Sequence, residues 1–355
     1  MARRVTLADV AARAGVSKTA ASLVLNDRPG SRLSAHVVGR VRAVAAELDY
    51  RPNPAARTLR QGRNRTIGFV SDEVTITRYA SAMIRGALDV AQRHDHTVLI
   101  TETGTNRDWR ERAIQVIADQ RPGGLIFALM GAKQIDVPAA VEALPVVILN
   151  GVSSAGHPAV LPAEYAAGTR VAEVLLTAGH RRIGIIGLPP AGELDPRVSV
   201  TVGERIAGIR ATLDRAGVVP VGIAVPVDET GIVWEPETGF EAMRRILVDH
   251  PDLTGVICLN DRLAFGAYQA IQEAGRRIPA DISVVSFDDD ELASYLRPPL
   301  TTARIPYLRM GEIAMAMALG VSLDAGSPPG EGPRTVPMPI QHRGSVGPPH
   351  ELRAS

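Results

Sequence analysis

A lysine and three hydroxyl-bearing residues lie close together near the amino terminus, at Ser17, Lys18, Thr19 and Ser22. Ammonium and hydroxyl groups donate hydrogen bonds to phosphate oxygens and to the edges of DNA bases. Leu23 beside them can touch only an apolar edge, such as a thymine methyl group. This combination predicts contact with duplex DNA, provided that a rigid element presents the residues together.

The flanking residues predict that element. Thr6 can cap a helix and Asp9 follows three positions later, which is the spacing of a capping box. Gly15 suits the left-handed backbone of a helix end, and Ser17 can cap a second helix. Apolar residues recur at helical spacing in both segments, and a third helix is expected after Ser34. Two short helices around a turn have the size to place the start of the second helix in a DNA groove.

Charge is distributed unevenly along the chain. Residues 1–65 contain 13 Lys and Arg but only 4 Asp and Glu, although the whole 355-residue chain carries a formal net charge of +1. A basic amino-terminal segment on an acidic remainder indicates a polyanionic partner for that segment.

The runs VTLADVAARAGVSKTAASLVLN and YRPNPAARTLRQGRNRTIGFV resemble the lactose-repressor/galactose-repressor (LacI/GalR) family of bacterial transcription regulators. The resemblance extends from Val5 to about Arg343. It implies a ligand-responsive repressor that binds a pseudo-palindromic operator in double-stranded DNA as a homodimer. Many members carry Val and Arg where this chain has Ala21 and Leu23. The operator sequence of those members therefore does not apply to this chain. The residues expected at the DNA are Thr6, Ser17, Lys18, Thr19, Ser22, Leu23, Asn26, Asn53, Ala56, Arg57 and Leu59.

A hinge helix is expected in residues 51–62. Asn53 can cap it, and Pro54 suits the first helical position. A free helix of about two turns is unstable in water, so this segment should order only when it is docked on DNA. The resemblance implies that Leu59 wedges into the central base step in the minor groove, with Ala56 on the same helix face.

The remaining chain alternates between strand-like and helix-like segments, which predicts parallel, doubly wound α/β sheets. Two such series predict two lobes, and the family resemblance implies that they are similar to those of periplasmic binding proteins. The strands are expected at 66–71, 97–101, 124–129 and 145–150 in one series, and at 182–187, 223–227, 255–260 and 281–287 in the other. A final strand is expected at Thr335–Ile340.

These patterns predict an organisation for the whole chain. We expect a helix-turn-helix head at 1–50, the hinge helix and linker at 51–62, a bilobed effector-binding and dimerisation domain at 63–343, and a flexible tail at 344–355. In the fold that the resemblance implies, the chain crosses between the lobes three times, here near Leu161, Asp289 and Ala325. Lobe 1 would then comprise about 63–161 and 289–325, and lobe 2 about 162–288 and 326–343. The tail has no heptad pattern, which favours a dimer over a tetramer.

The cleft between the lobes is the expected effector site, because ligands bind beyond the carboxyl ends of parallel strands. Asp288 is the strongest candidate, since its carboxylate can accept two hydrogen bonds from a polyol or a base edge. Asn260 is expected to face the cleft, with Asp261 capping the next helix. The resemblance adds Arg205 and Trp234. The effector candidates are Asp72, Tyr79, Asn150, Arg205, Trp234, Asn260, Asp288 and Tyr307. A sugar suits this set, although a nucleoside or a purine would fit almost as well, and each residue could instead be a helix cap or a strand-end hydrogen bond.

The sequence offers no support for catalysis, a cofactor or a metal. The 8 histidines show no metal-binding spacing, and no nucleophile elbow or phosphate loop occurs. The one cysteine excludes an intrachain disulfide.

No apolar run approaches the ~20 residues of a membrane helix, and the start lacks a secretion signal, so a cytoplasmic protein without membrane contact is expected. The alternative is a cytoplasmic solute-binding protein for a sugar or nucleoside, with no regulatory DNA binding.

Overall fold

The computed structural model describes residues 5–25, 33–50, 64–75, 81–104, 107–190, 194–228, 231–323 and 332–350. The chain divides into two compact units, Met1–Arg65 and Thr66–Ser355. Asn26, Asn53, Ala56, Arg57, Leu59 and Tyr79, which the sequence analysis selected, lie outside the described residues.

The amino-terminal unit is a three-helix module. Its helices are α1 (Leu7–Arg13), α2 (Lys18–Leu25) and α3 (Ala35–Glu47). Val10, Val24 and Val41 are buried at its centre. Small alanines at the inner positions of α1 and α2 let the helices approach closely, and Gly15 has the left-handed backbone (φ +62°) that was expected between them. The expected helix–turn–helix arrangement is confirmed.

The first sheet of the larger unit lies mostly in the first half of the chain. Its elements are β1 (Thr66–Ser71), α4 (Ser81–Arg93), β2 (Thr97–Glu102), α5 (Arg107–Asp119), β3 (Gly124–Ile135), β4 (Val146–Ser153) and β5 (Ala159–Pro162). Successive residues point to opposite faces of a strand, so Phe69 of β1 lies in the core on one side of the sheet and Val70 in the core on the other.

The second sheet begins after a chain crossing. Its elements are α6 (Glu164–Thr177), β6 (Ile183–Leu188), α7 (Val202–Arg215), β7 (Val221–Ala224), the two-stranded β8 (Val227–Asp228) and β9 (Gly231–Ile232), α8 (Pro236–Asp249), β10 (Gly255–Cys258), α9 (Asp261–Glu273), β11 (Ser283–Asp288) and β12 (Thr301–Arg304). Three elements complete the fold: α10 (Tyr307–Leu319), β13 (Arg334–Val336) and β14 (Ile340–Gln341).

Strand order defines two doubly wound lobes, as expected. The first sheet has the order β13-β5-β4-β3-β1-β2 and is parallel throughout. The second has the order β14-β12-β11-β10-β6-β7, in which only the edge strand β14 is antiparallel to its neighbour. The chain therefore crosses between lobes at about 162–164, 304–307 and 336–340.

Two of the expected lobe boundaries are wrong. Residues 301–304 form β12 of the second sheet, so the second crossing lies after Arg304 and not near Asp289. The single strand expected at Thr335–Ile340 is two short strands in different sheets. Pro337 and Pro339 explain the division, because neither has an N–H group to donate to a ladder. The third crossing lies there and not near Ala325.

The expected flexible tail is also wrong for residues 344–350. Ser345 is fully buried, and its hydroxyl donates to the carbonyl of Val284 (2.6 Å). The carbonyl of Gly347 accepts a hydrogen bond from Nε2 of the buried His180 (2.9 Å). These contacts fasten the segment to the second lobe. No helix among the described residues is long and apolar enough to span a membrane.

Candidate functional site

The start of α2 is the exposed polar edge of the amino-terminal unit. The hydroxyl of Ser17 accepts a hydrogen bond from the backbone N–H of Ala20 (3.0 Å) and so caps the helix. Ser17, Lys18 and Thr19 are exposed, and Leu23 is half-buried. These side chains are available to a DNA groove, as expected.

Two other residues of the head, Ser22 and Thr6, are placed differently from side chains that would contact a DNA groove. Ser22 is buried rather than on the outer face, because it borders the apolar arc of α2 and its short side chain is covered. This corrects its expected position. The hydroxyl of Thr6 accepts from the N–H of Asp9 (3.3 Å), and the carboxylate of Asp9 accepts from the N–H of Thr6 (2.8 Å). Thr6 therefore forms the expected capping box, which orders the start of α1.

In the larger unit, Arg205 and Glu164 form a buried ion pair. Nε and Nη2 of Arg205 each donate to the Glu164 carboxylate at 2.7 Å, and the two side chains are only 4% and 3% exposed. Glycines bring their helices into contact. A Cβ on Gly168 of α6 would lie 2.2 Å from the carbonyl oxygen of Arg205, and a Cβ on Gly208 of α7 would lie 2.1 Å from that of Tyr165. Only glycine at both positions allows this approach.

Further contacts fix the Arg205 guanidinium. Its Nη1 donates to the carbonyl oxygen of Leu259, and its carbon lies 4.4 Å from the ring centre of Phe287 and 5.5 Å from that of Trp234. The indole N–H of Trp234 donates to the carbonyl of Gly187 (2.9 Å). Burial alone would lower the pKa of Arg205, but the charge and hydrogen bonds of Glu164 outweigh it and raise that pKa.

Asp288 ends β11 beside this pair. Its backbone has φ +108°, a conformation that an L residue rarely adopts and that is typical of functional sites. The side chain is half-buried, and within the described part of the chain no hydrogen bond to its carboxylate occurs. Burial raises the pKa of Asp288 well above its usual range. Arg205 opposes this rise, while the nearby carboxylates of Asp261 and Glu164 add to it.

The cap of α9 is Asn260 and not Asp261, which corrects the role expected for Asp261. The side-chain oxygen of Asn260 accepts from the N–H of Leu263 (2.9 Å), so Asn260 is the cap of α9. Asp261 is fully buried, and its carboxylate accepts from the N–H of Asp290 (2.7 Å) and from the hydroxyl of Thr302 (2.8 Å). Burial raises the pKa of Asp261 to about 7, although these hydrogen bonds lower it in part.

Two selected residues of the first lobe contact strand β3. Asp72 directly follows β1; its carboxylate accepts from the N–H of Met130 (2.8 Å) and pairs with the ammonium of Lys133 (2.7 Å). Asn150 lies within β4 and not at its end, and its amide nitrogen donates to the carbonyls of Leu129 (2.9 Å) and Met130 (3.1 Å). Both side chains thus hold β3 where its register with β4 shifts. A structural hydrogen bond to a strand, which was the plainer alternative, accounts for the contacts that we observe.

The lobes meet around this cluster. Tyr307, at the start of α10, is buried in the core of the first lobe and helps to raise the pKa of Arg205 in the second. Two backbone hydrogen bonds also join the lobes, from Gln134 to Pro196 (2.8 Å) and from Val200 to Ala132 (2.7 Å). The cluster therefore lies where the two lobes come together, as the carboxyl-end rule predicts.

Sequence reasoning missed three residues of this cluster: Glu164, Phe287 and Lys133. Glu164 is 41 positions from Arg205, and no local pattern marks their contact. Phe287 was assigned only to a strand, although its position directly before Asp288 could have suggested it. The described residues contain no group of three His, Cys, Asp or Glu side chains suited to a metal ion.

The comparisons with known proteins agree with this architecture. Residues 6–53 match the model of the bacterial regulatory proteins of the lacI family, and residues 172–346 match a periplasmic binding protein-like domain. The chain is 30% identical over 320 residues to the ribose operon repressor of Haemophilus influenzae, covering 88% of this chain and 91% of that protein. It is 31% identical over 324 residues to the HTH-type transcriptional repressor PurR of Vibrio atlanticus, covering 88% and 91%.

A solved structure is similar over almost the whole chain. The crystal structure of the lac repressor dimer bound to operator and the anti-inducer ONPF superimposes with a TM-score of 0.77 at 26% identity, covering 97% of this chain and 100% of that one. Head, lobes and their order along the sequence thus all have counterparts in one family. The chain belongs to the lacI family of bacterial regulatory proteins, because its likeness to that family is not confined to residues 6–53 but extends through both lobes.

Proposed function

We propose that this protein is a ligand-responsive transcription repressor that binds a pseudo-palindromic operator as a dimer. The observation that carries the proposal is the exposed start of α2, where Lys18 and Thr19 project from a packed three-helix unit. A helix presented in this way can place its first residues against base edges in the major groove. Positions 1–65 contain 13 basic and 4 acidic residues, and this net positive charge attracts the phosphates of DNA.

The effector proposed for the cleft is a sugar or sugar derivative. Asp288 offers a carboxylate without a hydrogen-bond partner among the described residues, and the guanidinium of Arg205 is held beside it. Hydroxyl groups donate to carboxylates and accept from guanidinium groups, so a polyol complements both. The ribose operon repressors among the relatives support D-ribose as the first probe.

Control of DNA binding would pass through the lobes. An effector changes operator affinity only if it binds the two states of the protein with different affinity. The hinge helix of residues 51–62, with Leu59 as the minor-groove wedge, remains part of the proposal. The protein would act by binding and not by catalysis, and it would work in the cytoplasm, where its operator lies.

The experiment has two steps. Duplexes that bind the full-length protein are first selected from a random DNA library, and the best is then titrated by fluorescence anisotropy with and without D-ribose. We expect a selected site with two related half-sites and an operator Kd that changes about tenfold or more on addition of the sugar, within the usual range of coupling.

Lys18→Ala supplies the variant for the DNA contact. If Lys18 binds a phosphate, affinity should fall equally on all duplexes and the salt dependence should weaken by about one phosphate contact per protomer. Arg93→Ala, at the end of α4 in the larger unit, is the matched control that also removes one cation. Failure of the selection to yield any preferred duplex would contradict the proposal.

A further inference from the structure

The charged residues near the proposed effector site are unevenly paired, because the cations have carboxylate partners and some carboxylates have no cationic one. Lys133 is paired with Asp72, and Arg205 is paired with Glu164. Arg304 and Arg343 both bind Asp289, at 2.6 and 2.5 Å. These four cations of the described residues therefore each have a carboxylate partner.

Two carboxylates of the same region, those of Asp288 and Asp261, form no ion pair within 4 Å among the described residues. Asp288 accepts no hydrogen bond from the described residues, and the hydrogen bonds that Asp261 accepts come from neutral N–H and O–H groups. Burial is the largest cause of the raised pKa values of both carboxyls. Arg205 opposes the rise in the pKa of Asp288, while the neighbouring carboxylates add to it, so the surroundings of Asp288 disfavour negative charge.

Arg205 has little left to offer an anion. A guanidinium has five N–H donors. Three of them bind Glu164 and the carbonyl of Leu259, and the rings of Phe287 and Trp234 lie near the guanidinium. The bidentate edge formed by Nε and Nη2, which is the edge that best fits a phosphate or a carboxylate, is the one that Glu164 occupies. The remaining N–H groups can donate to neutral hydroxyl oxygens.

We propose that Glu164 determines the charge of the effector: by occupying and neutralising Arg205, it makes the cleft select an uncharged sugar and reject phosphorylated or carboxylated ones. This inference rests on the proposed effector site and narrows its ligand class. Asp288 contributes to the same selection, because its surroundings already disfavour a negative charge and would disfavour a ligand anion for the same reason. Glu164 is thus a specificity-determining residue that acts through Arg205.

The test compares each neutral sugar with its own phosphate ester. Full-length protein is titrated by calorimetry at pH 7.5 with D-ribose and D-ribose 5-phosphate, and with D-glucose and D-glucose 6-phosphate. We expect the sugar that binds to exceed its ester by about 100-fold or more in affinity, because juxtaposed like charges in a protein site are strongly unfavourable. A sugar phosphate that binds as tightly as its parent sugar would overturn the proposal.

Two variants test the residue assignment. Glu164→Gln should reduce the preference for the neutral sugar by about tenfold or more, because Arg205 regains a net charge and a donor edge. Glu241→Gln is the control, since it makes the same change in an exposed pair with Arg244 on α8. If Glu164→Gln does not fold, Asp288→Asn tests the same charge balance without breaking the buried pair. An unchanged preference in the folded variants would refute the assignment.

The outcomes separate this inference from the proposed function. If a sugar phosphate is preferred and it shifts operator affinity, the charge assignment is wrong while the regulatory function stands. If no sugar or sugar phosphate in the panel binds, both the inference and the sugar class of the proposed effector are wrong.

Discussion

Removing Glu164 should destabilise the second lobe strongly, because it leaves the Arg205 cation buried without a partner. Both side chains are almost fully buried and share two hydrogen bonds of 2.7 Å. Breaking such a pair by removing one partner costs about 3–5 kcal/mol. We therefore expect Glu164→Leu to lower the free energy of unfolding by that amount, whereas the double variant Glu164→Leu/Arg205→Met should recover most of the loss.

Urea denaturation measures these differences. The chain has two tryptophans, and Trp234 lies 5.5 Å from the Arg205 guanidinium. A Trp109→Phe background makes the fluorescence report on the second lobe alone. If Glu164→Leu costs less than about 1 kcal/mol, the value of an exposed pair, the buried ion pair is not the organising contact of this lobe.

Three further predictions concern other described groups. The pKa of Asp261 is about 7 in the fold and about 3.9 in an unfolded chain, so its contribution to stability is lost as the pH rises between these values, by up to ~1.4 kcal/mol per pH unit. Asp261→Asn should remove this slope in urea titrations from pH 5 to 8. An unchanged slope would contradict the assignment. Burial lowers the pKa of His180, so wild-type stability should fall as the pH drops below about 6.5, whereas His180→Gln should lack this loss. The same variant should make residues 344–350 more accessible to carboxypeptidase, because it loses the hydrogen bond to Gly347. Equal digestion of both proteins would argue that His180 does not fasten this segment. Thr6→Ala should cost about 1 kcal/mol in the head, measured by amide exchange in α1, with Thr6→Ser close to wild type; equal exchange in all three proteins would mean that the cap is not needed.

The elements of the fold were largely predictable from local pattern. Strand β1 begins and ends where the sequence indicates, and the limits of β2 and β6 lie within one residue of those expected. Buried parallel strands consist of continuous apolar residues, and the helices between them keep one apolar face, so both leave a clear signal. The sheet to which a strand belongs leaves no such local signal in the sequence. Whether β12 joins the first or the second sheet depends on long-range pairing, and the boundary errors arose there.

The candidate site was predictable in part, for the same physical reason. Asp288 and Arg205 were found because strand ends and the family motif mark them, and the structure places them together. Glu164, the partner of Arg205, was not found, since the contact depends on two helices touching at Gly168 and Gly208. The helix cap was assigned to Asp261 and not to Asn260 because the cap and a buried carboxylate differ there by a single position. The assignments to 51–62, including Leu59, stay predictions.

We propose that ligand occupancy of the interlobe cleft controls the entry of α2 into DNA. The most direct test is the operator Kd of the full-length protein, measured with and without the bound sugar, in wild type and in Asp288→Ala. We predict that the sugar changes the wild-type Kd about tenfold or more and leaves the Kd of Asp288→Ala unchanged at the same concentration. An equal response to the sugar in both proteins would contradict the account.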